Sequence, residues 1–280
     1  MPLVANRYGK GRVRVLRLAR DGDRHTVREL TFMVLLTGDF AAAYTAGDNR
    51  QVVATDTIKN VVNVLAHENL TAENEAFAEI VARFFLDRYP QVEKAEVGTT
   101  ETKWRRQALD GLPHAHGFTL DGNGRPTVMA TASRGGTATT VSGVDGFTFL
   151  KTTMAGWSDF HDDEYRTLPD TTDRLVGTSM KADWSWSRPP ASYEVANDLV
   201  LDTMMRTFLS GYSPGVQNSM NLMGEAVLSA VPEIASISIA CPNKHYIPMN
   251  LAVFGRENRN EVFLPTDEPH GQIEATIARG

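Results

Sequence analysis

The sequence predicts an α+β protein of antiparallel sheets with helices packed on one face. Three observations carry this. The order hairpin, helices, hairpin is met twice along 280 residues, a length that suits one large domain or two ordinary ones. The strand-like stretches alternate apolar and polar residues, as strands with one buried face do. Neither half contains a G-x-G-x-x-G or Walker loop, so a nucleotide-triphosphate or dinucleotide fold has no support.

The first hairpin is "GRVRVLRLARDGDRHTVRELTFMVLLTG", which alternates on both sides of a "DGD" turn and places Leu30, Phe32, Val34 and Leu36 on one face. A helix follows, with Phe77, Ile80, Val81, Phe84 and Phe85 forming one apolar stripe. Thr71 is suited to cap its start, and Pro90 ends it. Strands return at "KAEVGTTETKW", "HAHGFTL" and "PTVMATA". The Gly/Thr-rich "ASRGGTATTVSG" marks a boundary near residue 137, giving halves 1–136 and 137–280. In the second half "GFTFLKTT" and "MKADWSWS" read as a hairpin with a long insertion. Two helices follow, "YEVANDLVLDTMMRTFLS" and a second from about Ser213–Pro214 to Ala230, whose Met220, Met223 and Val227 face inward. Strands "ASISIAC" and "HYIPMNLAVF", then "EVFLP", close the half. No residue-level repeat stands behind the repeated order.

Composition narrows the function. A net charge of −6 offers no electrostatic reason for a nucleic-acid or anionic-membrane partner. The single cysteine, Cys241, excludes an internal disulfide framework and a Cys-rich zinc site, and fits a reducing compartment. The first residues lack a signal-peptide core, no stretch is long and apolar enough to span a membrane, and "IARG" is not a peroxisomal address; the expected location is cytoplasmic.

Several polar clusters are candidates for chemistry. "RYGKG" sets Lys10 between glycines, which also suits an exposed turn. In "VATDTIKN", Thr55, Asp56 and Thr57 stand where a helix cap is expected. "WSDFHDDEYRTLPDTTDRL" mixes Trp157, Phe160 and Tyr165 with carboxylates, His161, Arg166 and Arg174, and reads first as a solvated acidic loop. "PHAHGF" puts His114 and His116 on one strand face without an obvious third zinc ligand, so they read as hydrogen-bonded core or interface histidines. "GVQNSM" puts Gln217 in the first turn of a helix, an end suited to a partly anionic ligand. "CPNKHYI" places Asn243 and His245 two apart, on the same side of a strand, with Lys244 turned away.

Taken in order and at these separations, "RYGKG", "VATDTIKN", "PHAHGF", "DEYRTLPDTTDR", "GVQNSM" and "CPNKHYI" resemble the urate oxidase family, over nearly the whole chain. The resemblance implies two tandem tunnelling-fold (T-fold) domains and four subunits whose sheets form a β-barrel tunnel, with active sites at subunit interfaces. It implies oxidation of urate by dioxygen and water to 5-hydroxyisourate and hydrogen peroxide, with neither metal nor organic cofactor. By position, Arg174, Gln217 and the Val216 amide would hold the purine edge, and Trp157 would stack on the ring. Lys10, Thr55 and His245 would relay protons, Asn243 would hold dioxygen or water, and the Asp56 backbone would touch substrate. The family has Phe and Gly where this chain has Trp157 and Asp159. The larger indole needs room, and without Gly the backbone is expected to avoid conformations that only Gly tolerates; Phe160 is the alternative stacking residue. A rival keeps the fold and changes the ligand to a pterin or other purine-like ring, turned over or only bound.

Overall fold

The computed structural model describes residues 1–70 and 73–280, and the chain divides into two compact units, Met1–Gly143 and Val144–Gly280. Thr71 lies outside the described residues.

The first unit opens with β1 (Tyr8–Asp21) and β2 (Arg24–Gly38), paired antiparallel, with an irregularity between Lys10 and Val13 where Arg12 takes φ 57. A short turn of helix, α1 (Ala41–Thr45), leads to α2 (Thr55–Asn69) and α3 (Asn74–Arg88). Next come β3 (Val92–Thr102), the small hairpin β4 (Trp104–Leu109) and β5 (Leu112–Leu120), and β6 (Arg125–Ser133). β3 pairs with β2 on one side and β6 on the other. Alternation does what the sequence demands: Leu30, Phe32, Val34 and Leu36 are fully buried, and across the ladder Val34 faces Val97, which faces Ala130. Phe77, Val81 and Phe85 of α3 cover this face, and Phe32 meets Phe77 edge-on at 5.6 Å. Such a pair contributes about 0.5–1.5 kcal/mol beyond its buried area. β7 (Thr139–Lys151) begins here, and its Ser142 hydroxyl donates to the buried Glu75 of α3 at 2.6 Å.

The second unit continues with β7 beside β8 (Val176–Trp186), then α4 (Tyr193–Ser210), α5 (Val216–Ala230) and β9 (Ile234–Ala240). β10 (Asn243–Pro248), β11 (Phe263–Gly271) and β12 (Glu274–Ala278) end it. β9 lies between β8 and β12, so that Trp184 faces Ile237, which faces Ile277. Met220, Met223 and Val227 of α5 are buried against this sheet, and the Trp184 indole N–H donates to Asn197 of α4 at 3.0 Å.

Three local expectations change. The stretch "HYIPMNLAVF" is not one strand: β10 stops at Pro248, and Ala252–Phe254 form a 3-10 turn closed by Gly255 in the left-handed conformation. α5 begins at Val216 with Gly215 as its cap, so Pro214 precedes the helix instead of starting it. β12 was not foreseen, because "EATIA" is short and mostly exposed.

One side-chain brace recurs in both units, a likeness not expected from the sequence. Arg134, just after β6, donates from its side chain to the carbonyls of Leu86, Tyr89 and Val92, closing the end of α3 and the turn beyond it. Arg279, just after β12, donates to the carbonyls of Leu228, Val231 and Ile234, closing the end of α5 in the same way. Those last carbonyls have no partners inside the helix, and a cation there also suits the helix dipole. The signal is in the sequence: "YPQV" and "VPEI" follow the helices, and "ATASRG" and "ATIARG" contain the arginines.

Candidate active site

The candidate residues fall into two groups, one in each unit. Lys10, Thr55 and Asp56 belong to the first, and Trp157, Arg174, Val216, Gln217, Asn243 and His245 to the second.

In the first unit Tyr8 sets the geometry. Its hydroxyl donates to the Val53 carbonyl at 3.1 Å and accepts from the Val53 amide at 2.7 Å. That clamp joins the start of β1 to the segment entering α2, so Lys10 and Thr55 each stand two residues beyond a fixed point. Gly9 permits the strand approach, since a Cβ there would lie 1.7 Å from the Val34 carbonyl oxygen. Burial raises the Tyr8 phenol above its usual range. Thr55 does not cap α2. It is the first helical residue, Ala54 is the cap, and the exposed Thr55 hydroxyl has no hydrogen bond among the described residues. Asp56 turns to Lys59 at 2.5 Å and Asn60 at 3.1 Å instead. Lys59 chiefly, and Lys10 to a smaller degree, hold the Asp56 carboxyl below its ordinary value. Tyr8 was missed in the sequence, although "RYGKG" contains it.

In the second unit a web of backbone bonds surrounds Gly156. Its N–H donates to the Ser213 carbonyl at 2.8 Å, and its carbonyl accepts from Arg174 Nε at 3.1 Å. A Cβ on Gly156 would lie 2.0 Å from the Tyr212 hydroxyl and 2.9 Å from the Thr171 carbonyl oxygen, so a side chain there would force both to shift. Trp157 is bridged to Thr171 in both directions, and the Arg174 amide donates to the Ala155 carbonyl. Arg174 is half-buried. Burial pulls its guanidinium below the ordinary value, and Tyr212 opposes that pull. No carboxylate pairs with it among the described residues, which leaves the outer fork available.

The start of α5 lies against the indole. A Cβ built on Gly215 would sit 3.0 Å from Trp157 Cζ3 and 3.3 Å from Gln217 Oε1. Gly215 supplies no side-chain cap, so the first amides of α5 remain donors without a capping partner. Trp157 and Phe160 are stacked, 5.5 Å between centroids and 14° between planes, and Arg166 lies 4.2 Å over Phe160. Asp159, between them, takes φ 56. The loop does not avoid the left-handed region, because Asp is among the few side chains that enter it. His161 and its acidic neighbours are exposed, with Arg166 tying Asp170 at 2.8 Å.

Asn243 is 8% exposed, and its side-chain oxygen has no hydrogen-bond partner among the described residues. Its neighbour across the ladder is the buried Thr178 of β8. His245 is exposed, and Lys244 is turned to Asp267 at 3.2 Å. The β11 side is irregular here: Asn243 faces Gly271 and His245 faces Thr266, so two steps on β10 span five on β11. His114 is half-buried and His116 exposed, so neither lies in the core of this unit. The His114 ring nitrogen accepts from the His116 amide at 3.2 Å, and the His116 ring lies 5.8 Å from that of His25. Among the described residues no group of three or more His, Cys, Asp or Glu side chains is arranged to hold a metal ion.

Fold and site together define a class: an α+β protein of two antiparallel units, with an unpaired arginine, an indole and an open helix start gathered in the second. The uricase family model matches residues 6–131 and 140–274. A uricase from Arabidopsis thaliana is 39% identical, covering 98% of this chain and 94% of its own length. The crystal structure of the uricase from Arthrobacter globiformis superposes with a TM-score of 0.94 at 35% identity, covering 100% of this chain and 95% of that one. The chain belongs to the uricase family.

Proposed function

We propose that the chain oxidises urate with dioxygen and water to 5-hydroxyisourate and hydrogen peroxide, using no metal or organic cofactor. The observation that carries this reading is the half-buried, unpaired Arg174 beside Trp157 and the start of α5. A planar fork of donors, a helix start and an indole face are together what a flat anionic purine needs. Arg174, Gln217 and the Val216 amide grip the ring edge, Trp157 stacks on it, and Asn243 holds dioxygen or water above the ring, its unpartnered oxygen being an acceptor for the water.

Lys10, Thr55 and His245 move the protons. Urate must lose protons to become electron-rich enough to reduce dioxygen, and a Thr hydroxyl is a poor base unless its proton is relayed. The uncapped Thr55 hydroxyl, with Lys10 near enough to influence Asp56, supports this assignment. Two electrons pass from urate to dioxygen, which leaves as peroxide, and water supplies the oxygen added to the ring. In this reading the units are tandem T-fold domains, four chains form a tunnel, and residues of the first unit meet those of the second at subunit interfaces, in the cytoplasm.

The test follows urate absorbance and peroxide together, in aerated buffer with chelator present. Equal loss and gain are expected. Urate that binds without being consumed would replace this reading with a binding protein, and indifference to urate would turn attention to pterin-like rings.

A further inference from the structure

Lys151, at the end of β7, is 7% exposed and has no carboxylate partner among the described residues. All three of its ammonium donors are used. They reach the Phe208 carbonyl at 3.0 Å, the Gly211 carbonyl at 2.8 Å and the Ser213 hydroxyl at 2.8 Å. Its Nζ also lies 4.7 Å over the Phe208 ring.

A buried lysine is costly to desolvate, and a neutral side chain would fill the same space at lower cost. The segment it holds explains its presence. Phe208 and Gly211 end α4, and Ser213 stands three residues before Val216. The Ser213 backbone in turn donates to the Met154 carbonyl and accepts from the Gly156 amide, and Gly156 accepts from Arg174. One ammonium therefore anchors the turn from which both the Arg174–Trp157 segment and the start of α5 are placed.

We infer that Lys151 is a positioning residue for the purine half-site: by pinning Gly211–Ser213 it fixes Gln217 and the Val216 amide relative to Arg174. The inference rests on the functional reading above.

The experiment compares Lys151→Met, Lys151→Arg and the unaltered protein in urate turnover and in chemical denaturation. Lys151→Met is expected to raise KM for urate about tenfold while kcat changes less than about twofold, because ring-edge binding loosens without loss of the relay. Lys151→Arg should recover most of the lost affinity. A purely structural cap on α4 would lower the denaturation midpoint and leave KM of the folded protein unchanged, which would overturn the inference. Should Lys151→Met fail to fold, Ser213→Ala removes one anchor only: a KM raised about twofold to threefold supports it, and an unchanged KM overturns it. Unaltered protein that ignores urate would sink the functional reading and this inference with it, whereas active protein with an indifferent Lys151→Met would sink this inference alone.

Discussion

At the scale of single residues the proposed chemistry separates binding from proton transfer. Arg174→Lys replaces a rigid fork with a point charge and also removes the bond from Arg174 Nε to Gly156. One charge-assisted bond is worth about 1.5–3 kcal/mol, so KM for urate should rise roughly tenfold to a hundredfold. Unchanged affinity in steady-state kinetics would remove Arg174 from the purine edge. Lys10→Met should behave in the opposite way, lowering kcat by about 10²–10⁴ with little change in KM. A change confined to KM would take Lys10 out of the relay. Trp157 and Asp159 each have a physical setting: the indole rests on Gly215, and Asp159 bears a left-handed backbone that Gly would adopt without strain.

Elements explain what the sequence reveals and what it hides. Leu30, Phe32, Val34 and Leu36 were readable because alternation and burial obey one rule in a half-buried strand. Short, exposed β12 carries no such signal, and β10 ends early because Asn250 and Gly255 favour a turn that the apolar letters of "NLAVF" conceal. The candidate site residues came from motif order, whereas Tyr8 and Lys151 carry no such signal, since each bonds to backbone carbonyls far away in sequence. The arginine braces make their own prediction. Arg279→Met strands the carbonyls that close α5 and should cost about 2–3 kcal/mol of stability, read as a lower denaturant midpoint. An unshifted midpoint would mean that water replaces the brace at no cost.

Over the whole molecule the two cores are separate sets of side chains, one in each unit. Cys241 reports on the second. It is 1% exposed, and burial pushes its thiol up to about 11. Since the thiolate is the reactive form, a native sample at pH 8 should resist a thiol reagent, and one equivalent per chain should react once the protein is unfolded. Rapid labelling of the folded protein would show that this core opens readily. The same side chain thus gives a clock for opening that needs no introduced probe.

The paired braces carry a further consequence. Two arginines that close two helices through carbonyls at matching places, inside matching "ATASRG" and "ATIARG" segments, are hard to arrive at independently. Each half therefore closes on itself: the strand that ends it is tied back to its own helix, and neither half borrows that closure from the other.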